Sequence, residues 1–162
     1  MKKMVLILTL FLASCADKSG VQKEVNLKTQ TLMFAQKHKF SVEGLSIMAT
    51  LSYLNPTLDE GSEEDIFILS FTPNALEFRN LKVFINNKEA KIEALKENDV
   101  LLKYLIENSY TKYFKVNLPS LKEETLLKAR VCSLNFECFE LDFQRYPKSL
   151  YYRSEDVDTQ YN

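Results

Sequence analysis

The chain has 162 residues, 46% of them hydrophobic, and a formal net charge of -1. That length suits one domain, and the near-neutral balance supplies no basic surface for nucleic acid. Three Gly and four Pro exclude a low-complexity or disordered chain, while eleven Phe and eight Tyr are ample for a core that has no Trp.

The chain opens Met1-Lys2-Lys3 and runs on through apolar residues from Met4 to Ala13. A cationic start before about ten apolar residues is the pattern of an export signal. The run is too short to span a membrane, because a helix needs about twenty residues to cross about 30 Å of hydrocarbon. It closes on Leu12-Ala13-Ser14-Cys15. Leu at -3, small residues at -2 and -1 and Cys at +1 resemble the lipobox of bacterial lipoproteins. Small side chains let the peptide enter a narrow protease site, and the thiol is the group that takes the lipid.

This resemblance covers the first fifteen residues and carries its own implications. Residues 1–14 would be a signal peptide removed by signal peptidase II between Ser14 and Cys15. Cys15 would carry a diacylglycerol, often with an acylated amine such as a palmitoyl amide. Two or more acyl chains hold a protein stably on a bilayer where one is marginal. Ala16 follows Cys15, and the absence of Asp there favours the periplasmic face of an outer membrane over the inner membrane. Loss of Lys2 and Lys3 with the signal leaves 19 of the 21 basic side chains against 22 acidic ones.

Residues 15–27 are mostly polar with weak periodicity and fit a lipidated tether. Residues 151–162 fit an acidic, polar tail. The folded domain is expected over residues 28–150.

Strand signals dominate that domain. From Leu45 to Tyr53, Leu45, Ile47, Ala49, Leu51 and Tyr53 alternate with Ser46, Met48, Thr50 and Ser52, as in a strand with one buried face. Gly44, just before, marks a bulge. Asn55-Pro56 ends the run, and residues 59–65 form an acidic loop. Ile66 to Phe71 is apolar on both faces, as in a central strand. A hairpin follows with Asn87-Lys88 at its turn, pairing Ile85 with Ala90, Val83 with Ile92, Leu81 with Ala94 and Lys82 with Glu93. Residues 98–108 fit an irregular connector or one helical turn. A strand from Lys112 to Leu118 closes at Pro119.

The last hairpin can be registered from chemistry alone. Pairing Cys132 with Cys138 also sets Arg130 against Glu140 and Lys128 against Asp142. The same register puts Val131 beside Phe139 and Ala129 beside Leu141. Turn signals every ten residues or so complete the expectation of an all-β fold. We expect an antiparallel β-sandwich of about seven to nine strands, broadly immunoglobulin-like.

Once Cys15 carries lipid, Cys132 and Cys138 are the remaining cysteines, and an exported chain sits where disulfides form. A bridge between them is therefore expected, ahead of a metal or redox pair. His38 lies in the polar stretch Gln36 to Lys39, between two expected strands, and a solvated side chain is its simplest assignment. The acidic loop lacks the alternating ligands of a calcium loop. No phosphate loop, nucleophile elbow or His-based metal motif occurs. No cofactor, metal or catalytic residue is therefore expected. Tyr110, Tyr113 and Lys115 are candidates for an interaction surface, with Tyr113 and Lys115 on one side of their strand and Phe114 inward.

The expected function is non-catalytic: an envelope lipoprotein, held to the membrane through Cys15, that binds another envelope protein or supports an assembly. The alternative is a small-ligand binder for a glycan, peptide or solute.

Overall fold

The structure, a computed structural model, describes residues 19–58, 62–120 and 122–145. Among the described residues are one α-helix, α1 (Ser19–Met33), and nine strands. These are β1 (Ala35–Val42), β2 (Leu45–Tyr53), β3 (Glu64–Thr72), β4 (Lys82–Ile85), β5 (Lys88–Glu89), β6 (Lys91–Ala94), β7 (Lys112–Pro119), β8 (Leu126–Ser133) and β9 (Phe136–Gln144). Short 3-10 turns lie at Asn55–Thr57 and Val100–Tyr104. The second of these lies in the 98–108 segment, for which an irregular connector or one helical turn was expected.

All strand pairs are antiparallel and form two sheets, ordered β1-β2-β3-β7-β6 and β5-β4-β8-β9. Taking β2 to β9 as A, B, C, C′, D, E, F and G gives the A-B-E-D and C′-C-F-G sheets of an immunoglobulin-like sandwich. The expected all-β sandwich is thus the fold, with β1 added outside strand A. Two immunoglobulin hallmarks differ. The chain has no Trp, and its disulfide joins F to G (Cys132–Cys138) rather than B to F.

Period two explains the core. Ile47, Ala49, Leu51 and Tyr53 of β2, Phe67, Leu69 and Phe71 of β3, and Val116 and Leu118 of β7 point inward from one sheet. Val83, Ile85, Leu127, Ala129, Val131, Phe139, Leu141 and Phe143 meet them from the other. A second apolar cluster, Leu54, Ile68 and Tyr104 with Leu27, Leu58 and Tyr113 against it, lies on the outer side of the five-stranded sheet. The 3-10 turn and α1 cover it there.

Several local expectations are corrected. Residues 19–27, assigned to the tether, are helical, and Leu27 already packs on the domain. The boundary expected between residues 27 and 28 therefore falls inside α1. Gly44 is not a bulge: Glu43 (φ 51) and Gly44 (φ 81) form the two-residue turn that lets Val42 pair with Leu45. Two successive left-handed residues suit the twist of a hairpin, and Gly adopts that conformation without a Cβ clash.

The first expected hairpin also turns earlier. Asn86 (φ 47) and Asn87 (φ 66) make the turn, so Ile85 faces Lys88. The chain then crosses to the other sheet at Ala90. There Ile92 pairs with Val116 and Glu93 with Lys115 instead of with Val83 and Lys82. Lys82 finds Glu89 at 2.9 Å.

The last hairpin has the register derived from its chemistry: Lys128 faces Asp142, Ala129 faces Leu141, Arg130 faces Glu140 and Val131 faces Phe139. Beyond Val131 the register shifts by one, with the extra residue on β9, so that Ser133 faces Phe136. Residues 1–18 and 146–162, which include the expected signal, Cys15 and the acidic tail, lie outside the described residues.

Candidate functional site

Cys132 and Cys138 form a disulfide, with Cα atoms 4.2 Å apart. That spacing matches the close, non-hydrogen-bonded type of antiparallel pair, which brings Cβ atoms within bridging distance. The hairpin tip has other restraints as well. Leu134 N–H and Ser133 Oγ both donate to the Arg79 carbonyl, at 3.0 and 2.9 Å, and Arg79 N–H donates to Asn135 Oδ1 at 2.7 Å. Phe136 packs into the core against Phe40, with ring centroids 4.6 Å apart. The bridge closes a short loop, so replacing both cysteines with Ser should lower stability by about 2 kcal/mol. Urea unfolding should show this as a lower midpoint at unchanged m-value. An unchanged midpoint would mean that the tip contacts alone hold the hairpin.

The residues expected at an interaction surface separate. Tyr110 sits in the turn before β7 and is 70% exposed. Tyr113 is half-buried in the outer apolar cluster, where its hydroxyl accepts from the Asn108 N–H at 2.9 Å. It props the loop that precedes its own strand. Lys115 lies on the same outer face, between Ile68 and Glu93, and Phe114 points inward against Phe71 and Phe78, as expected.

Beside Tyr113 opens a groove of about 560 Å³, walled by Asn74, Lys96, Glu97, Asn108 and Lys112 among others. Its size is within the range of ligand clefts. Both charge signs line it, and the opening is wide. No single ligand charge is selected by this lining.

His38 is not a loop residue. It lies in β1 opposite Ala49, and its ring stacks on Phe139 of β9 at 4.4 Å. With Phe40 beside it, it helps close the gap between the outer strands of the two sheets. Asp65, expected in the acidic loop, is the second residue of β3 and is fully buried. Residues 59–61 of that loop lie outside the described residues.

Asp65 anchors a polar network that the sequence did not reveal. Arg145, 7% exposed at the end of β9, donates from Nη1 to Asp65 Oδ1 at 2.7 Å and from Nη2 to Oδ2 at 2.5 Å. The Tyr53 hydroxyl donates to Oδ1 at 3.1 Å, and Arg145 also reaches Ser120 Oγ and the Glu124 carbonyl. A two-pronged guanidinium–carboxylate pair with its remaining donors occupied is the form in which charges tolerate burial. The network ties the start of β3 to the ends of β2 and β9. Its central groups, Tyr53, Asp65 and Arg145, are buried, as suits a structural staple.

Elsewhere, the carboxyl of Glu93 is held below its usual range, and the amine of Lys91 above its own, by their mutual hydrogen bond. The Lys28 amine is likewise raised by its hydrogen bond to Glu24. Both are surface pairs worth little to stability. Among the described residues, no group of three or more His, Cys, Asp and Glu is placed to hold a metal ion. Among them also, no helix is long and apolar enough to cross a membrane. Comparison with protein-family models, curated proteins and solved structures finds no match.

Proposed function

We propose that the chain is a lipid-anchored envelope protein whose immunoglobulin-like sandwich is a non-catalytic module that binds another envelope protein or supports an assembly. The observation that carries the reading is the order of the first fifteen residues: two lysines, an apolar run, then Leu12-Ala13-Ser14-Cys15. The disulfide adds support from an independent direction, because such bridges persist in oxidising compartments outside the cytosol. The sandwich itself is a scaffold that hosts many functions, so its fold does not choose the partner.

The anchor is tested by Cys15→Ala. Without the thiol no lipid is attached, and the variant should accumulate unprocessed or soluble. Fractionation with and without a signal peptidase II inhibitor reads this. Normal processing with full membrane retention would refute the assignment.

The alternative of a small polar ligand is favoured by one feature, the groove beside Tyr113. A ligand there should perturb the amide resonances of Asn108, Ser109 and Lys112 and leave those of the β8–β9 hairpin unchanged.

A further inference from the structure

The helix α1 has two apolar stripes, and the sandwich uses one. Leu27 packs on the outer cluster around Leu54, Ile68 and Tyr104, and Thr31, four residues on, is buried beside the domain. Seven residues make almost two full turns, so Val25 and Leu32 lie along one line of the helix. That line is on the far side from Leu27, and its two side chains are 55% and 48% exposed, with Met33 next to Leu32 half exposed as well. The 3-10 turn on which α1 rests adds Val100, and the loop after it adds Ile106, both exposed. An apolar stripe that turns away from its own domain needs an occupant.

Chain length identifies that occupant. Three residues, 16–18, separate Cys15 from the first residue of α1. Four Cα steps reach at most about 15 Å, so a lipid on Cys15 holds the helix start at the membrane surface. The fifteen residues of α1 extend only about 22 Å further. The helix is docked on the sandwich, so it cannot act as a loose spacer that lifts the domain away. A tethered surface meets the bilayer at an effective concentration in the millimolar range, at which even a small apolar stripe is occupied. Residues 16–33 carry Lys18, Lys23 and Lys28 against Asp17 and Glu24, and Lys28 is paired with Glu24 at 2.8 Å. The contact therefore has little call for anionic lipid.

We propose that α1 lies flat in the headgroup layer with Val25, Leu32 and Met33 toward the acyl chains. The five-stranded sheet then faces the membrane, and the four-stranded sheet, with the β8–β9 tip, faces away from it. This orientation rests on the lipoprotein reading above.

The test uses the full lipidated protein in phosphatidylcholine vesicles. The mature chain has no free thiol once Cys15 is lipidated and Cys132 and Cys138 are bridged. Single variants Val25→Cys, Leu32→Cys and Leu134→Cys therefore accept one spin label each, at sites exposed enough to leave the fold intact. Labels at 25 and 32 should be several-fold less accessible to a water-soluble nickel chelate than the label at 134, and more accessible to oxygen. The contrast should persist without anionic lipid. Equal chelate access at all three sites, on protein whose Cys15 lipid is verified by mass, would overturn the orientation and leave the anchor standing. Strong label–label coupling between copies at 25 and 32 would overturn it in favour of self-association. Finding Cys15 without lipid would overturn both.

Discussion

Asp65→Ala should destabilise the domain by about 3–5 kcal/mol, the usual cost of leaving one half of a buried ion pair without its partner. Asp65 is fully buried, and Arg145, 7% exposed, would keep its charge without the carboxylate that takes two of its donors. Domain stability is commonly only 5–15 kcal/mol, so the variant should be marginal. Arg145→Met should cost a similar amount by taking the two-pronged guanidinium away from the buried Asp65 carboxylate. The double variant Asp65→Leu with Arg145→Met should recover much of the loss, since apolar groups of similar volume leave no charge unpaired. Urea unfolding of the four proteins checks this through a double-mutant cycle. Losses that simply add would show that the two side chains do not act as one unit.

The second large effect is expected in the core. Phe67 is fully buried on β3, with its ring 4.8 Å from that of Tyr53 and 5.5 Å from that of Phe143. It joins the two sheets directly, because Tyr53 and Phe67 come from one and Phe143 from the other. Phe67→Ala removes the ring and leaves a cavity between sheets that cannot fully collapse, so it should cost about 3–5 kcal/mol. Thermal unfolding followed by circular dichroism reads the change. Phe84→Ala serves as a contrast: Phe84 is only half-buried, on the outer face of β4 beneath Arg130, and its loss should cost much less. Equal effects at the two sites would contradict the placement of the core.

What the sequence disclosed depended on how many features pointed the same way. In the β8–β9 hairpin, two cysteines, two opposite-charge pairs and an inner apolar row agree on one register, and the chain adopts it. The same logic failed between β4 and β6, for an identifiable reason. Ile92 and Glu93 have equally good partners in Val116 and Lys115 of the other sheet, so the pattern could not say which strand lay opposite. Two asparagines in left-handed conformations then moved the turn by one residue. Strand β1 escaped notice because His38, Phe40 and Val42 make a weak inner row between Lys37, Lys39 and Ser41. The ring stack on Phe139 is what turns that polar segment into an edge strand.

The helix was hidden by its own composition. Its apolar residues split into two stripes, its first turn has no acidic residue and its last no basic one. Thr29 and Thr31 spend their hydroxyls on the carbonyls of Val25 and Leu27, a habit of residues that do not favour helix interiors. The Asp65–Arg145 pair was out of reach for another reason. Its members are 80 residues apart, and Asp65 ends an acidic run that resembles a solvated turn. Burial, visible only in the fold, separates it from its neighbours. Tyr113 was placed on the correct side of its strand, but sequence carried no sign that α1 and the 3-10 turn cover part of that side.

The most direct measurement of the anchor is the intact mass and N-terminal peptide of the mature protein, extracted with detergent from the envelope in which it is made. We expect a chain that begins at Cys15, carries a diacylglycerol on that thiol, and on reduction gains only the two hydrogens that open Cys132–Cys138. A mature chain that begins elsewhere, or that begins at Cys15 with an unmodified thiol, would contradict it.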